Sequence, residues 1–266
     1  MTRGDTKMAI SDITTILADF VQSSSLNRVA ELADLRIFDP PIIGVATSSD
    51  ILFEQLKQPE NIGSNHLTPH EWLPGSRTVV SYFLPFTAAV RVSNRQQGLP
   101  SIEWLYGRIE GQAFIAEMSL MLVELLRKGG HQALAPALDP RFAIIERRSN
   151  WSERHVAYIA GLGTLSLNRS LITRVGSAGR LGSVVTDLDL PVTPRYYTKH
   201  EENCSYCGAC IRRCPPMAIN ETGKDHARCS AYLDGTMQRF SPRYGCGKCQ
   251  TAVPCESGIP VKQSAF

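Results

Sequence analysis

Apolar residues recur at helical spacing in two long stretches of the chain. The first follows Ser11, a residue type that caps helices, and predicts a helix there. Its apolar positions are Ile13, Ile16, Leu17, Phe20 and Val21. The second runs from Ser101 to Gly129 and predicts a much longer helix. Its apolar positions are Ile102, Leu105, Ile109, Ala113, Ala116, Leu120, Val123 and Leu126.

The two ends of the long helix give different signals. Arg127 and Lys128 followed by Gly129 form a typical helix terminus, because cations favour the negative end of the helix dipole and glycine can leave the helical conformation. Gly107 and Gly111 weaken the helical pattern near its start, so two consecutive helices are also compatible with it.

Short apolar runs between turn residues predict the strands. Ile42 to Ala46 and Thr78 to Leu84 are rich in β-branched or aromatic residues and end at turns. Ser183 to Thr186 reads as a further strand, and Leu134 to Leu138 is expected to return to the sheet. A short helix is expected after Asp50.

The segment that begins at Asn150 is the first candidate for a reacting site. Asn150 with Glu153 three residues later resembles a capping box, and Gly161 and Gly163 would end the helix after about three turns. A His or Tyr in such a helix could deliver the proton that accompanies an electron. The side chains that this helix brings together are Trp151, Glu153, Arg154, His155 and Tyr158.

Glycines follow this helix at three-residue spacing. Gly176, Gly179 and Gly182 could form a turn that cradles a phosphate or lets the backbone approach a flat cofactor, and Arg180 lies among them. The spacing is neither a P-loop nor a dinucleotide fingerprint.

Composition sets wider limits. With 266 residues, 43% of them hydrophobic, the chain can bury one large core or two. A net charge of +3 does not by itself favour nucleic acid or a membrane surface as a partner. No apolar run follows Met1 to Lys7 that would serve as a signal peptide or membrane span, so a cytoplasmic protein is expected.

All eight cysteines lie between Cys204 and Cys255. With the prolines near Arg195, this distribution suggests two domains, a cofactor or substrate domain (1–195) and a ferredoxin-like domain (196–266). The run from Cys204 to Pro215 has the bacterial ferredoxin spacing C-x2-C-x2-C-x3-C-P, in which the fourth cysteine ligates the other cluster. The spacing predicts two [4Fe-4S] clusters. One would be held by Cys204, Cys207, Cys210 and Cys255, and the other by Cys214, Cys229, Cys246 and Cys249.

Zinc and disulfides are the alternatives for these cysteines. Cys204/Cys207 and Cys246/Cys249 are C-x2-C pairs of the kind that hold zinc, although a zinc ribbon would leave the remaining cysteines without a role. A disulfide framework is typical of much shorter secreted chains. Five residues separate Cys249 from Cys255, where a ferredoxin has three, so Cys255 departs from the usual spacing.

Several segments together resemble the epoxyqueuosine reductase family. They are Leu73 to Val80, Glu153-Arg154 with Ala160 to Gly163, Gly176 to Leu188, and the eight cysteines, in this order. The resemblance covers most of residues 40 to 255, and reductive dehalogenases look like more distant relatives with the same plan. It implies an α+β domain similar to nitroreductase-like corrinoid-processing proteins, a bound cobalamin, and clusters that feed it single electrons.

Two departures from the family affect the expected substrate. The segment before the Glu-Arg pair supplies an Asp in the family, whereas Glu146 to Ser152 contains none here. The family's tRNA reductases also continue into a helical-repeat region that helps bind tRNA, whereas this sequence ends at Phe266. With the mild net charge, both features argue against a nucleic-acid partner.

The sequence therefore predicts an iron–sulfur oxidoreductase that passes electrons through two clusters to a corrinoid or a small-molecule substrate. An electron donor such as a ferredoxin or flavodoxin is the expected partner. The expected catalytic residues are Glu153, His155 and Tyr158. The expected cofactor-binding residues are Asn150, Trp151, Arg154, Gly161, Gly163, Gly176, Gly179, Arg180 and Gly182. FMN in place of the corrinoid, and an electron carrier without catalysis, remain as alternatives.

Overall fold

The computed structural model describes residues 8–261, so the segment Met1 to Lys7, where the sequence predicts no targeting signal, lies outside the described residues. The helices are α1 (Ile10–Ser23), α2 (Ile51–Gln55), α3 (Pro69–Trp72), α4 (Ala88–Ser93), α5 (Ile102–Lys128), α6 (Glu153–Ile159), α7 (Ala209–Arg212) and α8 (His226–Phe240). The strands are β1 (Arg28–Val29), β2 (Leu35–Arg36), β3 (Ile42–Thr47), β4 (Thr78–Pro85), β5 (Ala133–Leu134), β6 (Ile144–Ile145), β7 (Arg148–Ser149), β8 (Gly163–Leu165), β9 (Leu171–Thr173), β10 (Gly179–Thr186), β11 (Ile219–Asn220) and β12 (Gly223–Lys224).

A four-stranded antiparallel sheet in the order β3-β4-β10-β5 forms the centre of the fold. Every residue of β4 is buried, as expected for a central strand covered on both faces. Alternate residues of β4 point to opposite faces, so Tyr82 joins the core formed with α1 and α5, whereas Phe83 joins the core formed with α6. The α+β prediction is confirmed.

The long helix α5 is continuous, which answers the question left open by its two glycines. A Cβ at Gly111 would lie 2.8 Å from the Phe38 ring and would force a movement, and a Cβ at Gly107 would make a tight 3.0 Å contact with the Phe86 ring. The glycines therefore let α5 approach the aromatic core, and this packing offsets their weak helical propensity.

Three sequence expectations need correction. Gly179 and Gly182 lie within β10 and not in a turn, because the strand pairs with β4 along its whole length. Leu134 is the last residue of its short strand, since Pro136 begins a single 3-10 turn that ends at Leu138. Helix α6 begins at Glu153 after Ser152, and Asn150 does not cap it.

The side chain of Asn150 stabilises the preceding loop instead. Its Nδ2 donates to the Arg141 carbonyl at 2.8 Å, and its Oδ1 accepts from the Ala143 amide at 3.0 Å. A polar side chain that satisfies loop backbone groups in this way is unavailable for the helix terminus.

The cysteine-rich region packs against the α+β part through buried polar contacts. The buried Lys248 donates to the Asn94 carbonyl at 3.1 Å and to the Gln96 carbonyl at 2.8 Å. Glu256, also buried, pairs with Arg95 at 2.8 Å. These contacts fix the cysteines relative to the sheet. Within residues 8–261, no helix has the length and apolar character needed to cross a bilayer.

Candidate functional site

One side of β10 is unpaired where it passes the cysteine-rich region. Strand β5 pairs only with Val185 and Thr186, so among the described strands none covers this side of Gly179 to Gly182. This edge opens into a cavity of about 670 Å³. Its other walls are a face of α5, the start of α6 and part of the cysteine-rich region. Ligand sites in proteins commonly have volumes of about 300–1,000 Å³.

The cysteines divide into two groups around this cavity. The cavity cysteine set lines its wall and consists of Cys214, Cys229, Cys246 and Cys249. The outer cysteine set surrounds a separate small pocket and consists of Cys204, Cys207, Cys210 and Cys255. The grouping matches the division that the sequence predicts, including the position of Cys255. Ligation by these thiolates stays a prediction.

The electrostatics of Cys246 and Cys255 follows the same grouping, whereas Cys210 of the outer set is also affected by Cys249 of the cavity set. Burial raises the pKa of Cys246 to about 12, and the neighbouring thiols of Cys249, Cys229 and Cys214 raise it further. Burial also raises the pKa of Cys255 to about 11, with Cys204 and Cys207 as its charged neighbours. Crowded, buried thiolates repel one another, so a cationic centre among them would stabilise each set.

The spacing of these donors bears on the kind of centre that they fit. Within residues 8–261, no three His, Cys, Asp or Glu side chains lie close enough together to hold a single metal ion. A cubane keeps its cysteine sulfurs farther apart than a lone ion does, because each sulfur binds a different iron. The four thiols of each set match the number of thiolates that a four-iron centre needs.

Backbone packing explains how Cys255 joins the outer set despite its altered spacing. The Ser177 amide donates to the Cys255 carbonyl at 2.9 Å, and the Ser177 hydroxyl donates to its sulfur at 3.7 Å. Gly176 has a φ of +91° and lies directly against the backbone of Glu256 and Ser257, where a side chain would overlap. Gly176 thus positions the Cys255 loop and does not line the cavity.

Glu153 lies at the start of α6 on the cavity wall. The residue is half-buried, but both carboxylate oxygens are buried and have no well-formed hydrogen bond. Burial raises the pKa of this carboxyl to about 7, and nearby donors on Ser183 and Trp151 only partly oppose the shift. The Trp151 indole itself donates to Ser183 Oγ at 2.9 Å. Glu153 can therefore hold a proton near neutral pH.

Replacing Glu153 with Gln should change how stability depends on pH. The pKa of the Glu153 carboxyl is higher in the folded state than in the unfolded state. Folding therefore takes up a proton at pH values between the two pKa values. Wild-type stability falls as pH rises from about 4.5 to about 7. The E153Q variant has no ionisable group at this position, so its stability does not fall in this pH range. The unfolding free energy of E153Q minus that of wild type should therefore increase by about 3 kcal/mol between roughly pH 4 and pH 8.

Urea denaturation at both pH values measures this difference. Replacement of the exposed Glu117 on α5 by Gln is the matched control. An equal difference between E153Q and wild type at the two pH values would show that Glu153 does not titrate as described.

Arg154 and His155 follow Glu153 on α6 but have different surroundings. Arg154 lines the cavity and donates to the Arg169 carbonyl, and burial lowers its pKa. His155 lies behind the wall, with Nδ1 at 2.7 Å from the Ser152 hydroxyl. Burial lowers the pKa of His155 to about 3, so its ring is neutral at physiological pH.

The remaining predicted site residues separate into two groups. Trp151, Gly179, Arg180 and Gly182 line the cavity. Tyr158 does not, because it packs against Tyr197 and His200 on the other side of α6, with ring centroids 5.0 and 5.1 Å away. Gly161 ends α6 against Thr193, and Gly163 belongs to β8.

Sequence reasoning missed the wall that α5 contributes. Arg108, Gln112, Ala116 and Ser119 line the cavity from this helix. Their spacing of three and four residues places them on one face of the helix. Three of them, Arg108, Gln112 and Ser119, are polar, and this polar face on a helix that also packs into the core is a signal that the sequence contains.

Comparisons with known proteins agree with this architecture. Residues 197–220 match the family described as a 4Fe-4S binding domain, so the chain carries such a domain. An epoxyqueuosine reductase from Francisella cf. novicida is 27% identical over 221 residues, which cover 75% of this chain and 58% of the relative. The matching curated relatives share this name, and the resemblance found in the sequence is confirmed.

Solved structures show the same fold at low identity. A catabolic reductive dehalogenase superposes with a TM-score of 0.58 at 16% identity, over 83% of this chain and 30% of that one. An epoxyqueuosine reductase with a modified tRNA-Tyr stem loop superposes with a TM-score of 0.54 at 18% identity, over 94% of this chain and 67% of that one. The chain thus matches about three fifths of the first curated relative's length and a smaller share of the dehalogenase.

Proposed function

We propose that this chain is an iron–sulfur reductase that delivers single electrons to a cofactor or substrate in the cavity beside β10. One observation carries the proposal: the cavity cysteine set lines the same cavity as Glu153 and Arg154. An electron carrier would need only an exposed cluster edge, whereas a reductase needs a ligand-sized space beside a redox centre. The similarity to epoxyqueuosine reductases supports an iron–sulfur reductase.

The two cysteine sets suit different positions in such a protein. Cys207 of the outer set is exposed, so this set suits contact with an electron donor such as a ferredoxin or flavodoxin. All four cysteines of the cavity set are partly buried, so this set suits electron transfer to a ligand in the cavity. When bound, four-iron clusters would supply single electrons, and a corrinoid or flavin would accept them.

The cavity has features that suit a large planar cofactor. It presents an uncovered strand edge from Gly179 to Gly182, and buried guanidinium nitrogens of Arg108 and Arg180 lack hydrogen-bond partners there. A corrinoid is the first candidate because of the family resemblance, and FMN is the second. Gly179 and Gly182 lie in strand β10 and form no phosphate-binding loop, so these glycines do not favour FMN over the corrinoid.

Glu153 is the proposed proton source for the reduction. A carboxyl with a pKa near 7 is well matched to proton transfer at neutral pH. The segment in which the family carries an Asp forms the β6–β7 hairpin, whose tip residues Glu146 and Arg147 are exposed. Ile144 and Ser149 of this hairpin line the cavity. Because no Asp stands there, we do not propose a queuosine precursor in tRNA as the first substrate.

Rapid-mixing kinetics distinguish the reductase from a carrier. The anaerobic protein is reduced with stoichiometric dithionite and mixed with increasing hydroxocobalamin or, in parallel, FMN. A reductase should reduce one of them at a rate that saturates with its concentration, because the acceptor must first occupy the cavity. A rate that rises linearly throughout would indicate collision at the surface and contradict the proposal.

A further inference from the structure

Arg108 and Arg180 lie beside each other on the cavity wall. Arg108 projects from α5 and Arg180 from β10, and an Arg180 nitrogen donates to the Arg108 carbonyl. The Arg108 guanidinium lies over the Tyr244 ring, 4.2 Å from its centroid. Both side chains are therefore held in place by neighbouring groups at the surface of the same cavity.

This pair has no compensating carboxylate in the part of the chain that the structure describes. The charged neighbours that act on Arg180 are Arg108 and Tyr244, and burial with repulsion from Arg108 lowers the pKa of Arg180 to about 10. The Nε atoms of both arginines are buried without a hydrogen-bond partner. Burying two like charges without an opposite charge is costly.

Several other arginines in the structure have acidic partners. Arg243 pairs with Glu110 at 2.6 Å, and Arg169, on the far wall of the cavity, pairs with Glu201 at 2.9 Å. Among the described residues, the arginines whose buried Nε lacks a hydrogen-bond partner are Arg91, Arg108 and Arg180. Arg91 lies 3.8 Å from Glu256, so Arg108 and Arg180 are the two of these three without a carboxylate nearby.

Most of the remaining charged side chains of the cavity are cationic. Among its lining residues, the other cationic side chains are Arg154, Arg169 and Lys224, and Glu153 is the one carboxylate. Glu153 lies with α6 near Ser183, on the opposite face of the sheet from Arg180, because alternate residues of β10 point to opposite faces. The α5 side of the cavity is therefore positively charged.

We infer that Arg108 and Arg180 bind an anionic group of the cavity's ligand, either a phosphate ester or a carboxylate. Guanidinium groups bind both anions through paired hydrogen bonds, and two of them side by side suit a group with several acceptor oxygens. The inference rests on the proposed function in one respect, that this cavity is where the ligand binds.

Isothermal titration of the cluster-loaded protein with inorganic phosphate, at constant ionic strength in chloride, tests the site. Phosphate should bind to wild type, and Arg180→Gln should weaken binding at least tenfold. Arg108→Gln should do the same and serves as a second variant if Arg180→Gln loses its iron. The control is Arg77→Gln, since Arg77 is largely exposed at the opposite end of β4. Absence of both phosphate and acetate binding to wild type, or wild-type binding by both variants, would overturn the inference.

Matched ligands identify which molecule carries the anion. FMN is compared with riboflavin, which lacks the phosphate, and cobalamin with cobinamide, which lacks the phosphate-bearing nucleotide. Acetate in place of phosphate tests for a carboxylate. Binding of the preferred anion or phosphorylated ligand should depend on Arg180.

The inference and the proposed function can fail separately. Phosphate binding that depends on Arg180, together with cofactor reduction that never saturates, would keep the anion site and contradict the reductase. Saturable reduction, together with phosphate binding that is unchanged in both variants, would support the reductase and contradict the anion site.

Discussion

Replacing Cys229 with Ser is expected to remove about four of about eight irons per chain from the anaerobically purified protein. Cys229 lies on α8 and lines the cavity with Cys214, Cys246 and Cys249. A four-iron cluster needs all its thiolates, and a serine oxygen is a poor substitute for a sulfur ligand. The outer cysteine set does not include Cys229, so its iron should remain.

Iron and acid-labile sulfide analysis measures the change, and electron paramagnetic resonance of the reduced protein distinguishes one remaining cluster from two. Ala227→Ser is the matched control, because it introduces the same side chain at an exposed position of the same helix. Unchanged iron in C229S would show that Cys229 is not a ligand. Loss of all iron would show that the two sets do not form independently.

Filling the cavity should abolish cofactor binding without removing the clusters. Ala116 faces the cavity from α5, between Gln112 and Ser119. A tryptophan there would occupy space that a ligand needs, and the affinity for cobalamin or FMN should fall by roughly a hundredfold or more. Ala113 lies on the same helix but is exposed and does not line the cavity, so Ala113→Trp should bind like wild type.

Equilibrium titration followed by visible absorption measures the affinity of both variants, with iron analysis on the same samples. Wild-type affinity in A116W with full iron content would place the ligand outside this cavity. Equal losses in A116W and A113W would indicate a general disturbance of α5, and would also contradict the proposed location.

Local patterns in the sequence predicted much of the fold. The β-branched and aromatic residues of Thr78 to Leu84 predicted β4, and helical periodicity predicted α5 over its full length. Cysteine spacing predicted the same two groups of thiols that the structure brings together. The strand and helix predictions succeed because each depends on residues that are close in the chain. The cysteine grouping succeeds because the ferredoxin spacing assigns the fourth cysteine of the run to the other cluster.

The cavity depends on contacts between distant segments and could not be predicted in the same way. Arg180 and Arg108 meet only because β10 packs against α5. The glycines of β10 were expected to form a turn, but pairing with β4 places Gly182 beneath the Tyr82 ring, where no side chain fits. Asn150 likewise had a capping pattern, yet contacts with a loop seven to nine residues away determine its role.

Anaerobic titration of the cluster-loaded protein with cobalamin tests the central claim most directly. The visible spectrum should shift in a saturable manner that marks loss of the lower axial base, and the A116W variant should not produce this shift. No shift from cobalamin and no binding of FMN, with about eight irons and eight sulfides per chain still present, would contradict a cofactor-binding reductase and favour an electron carrier.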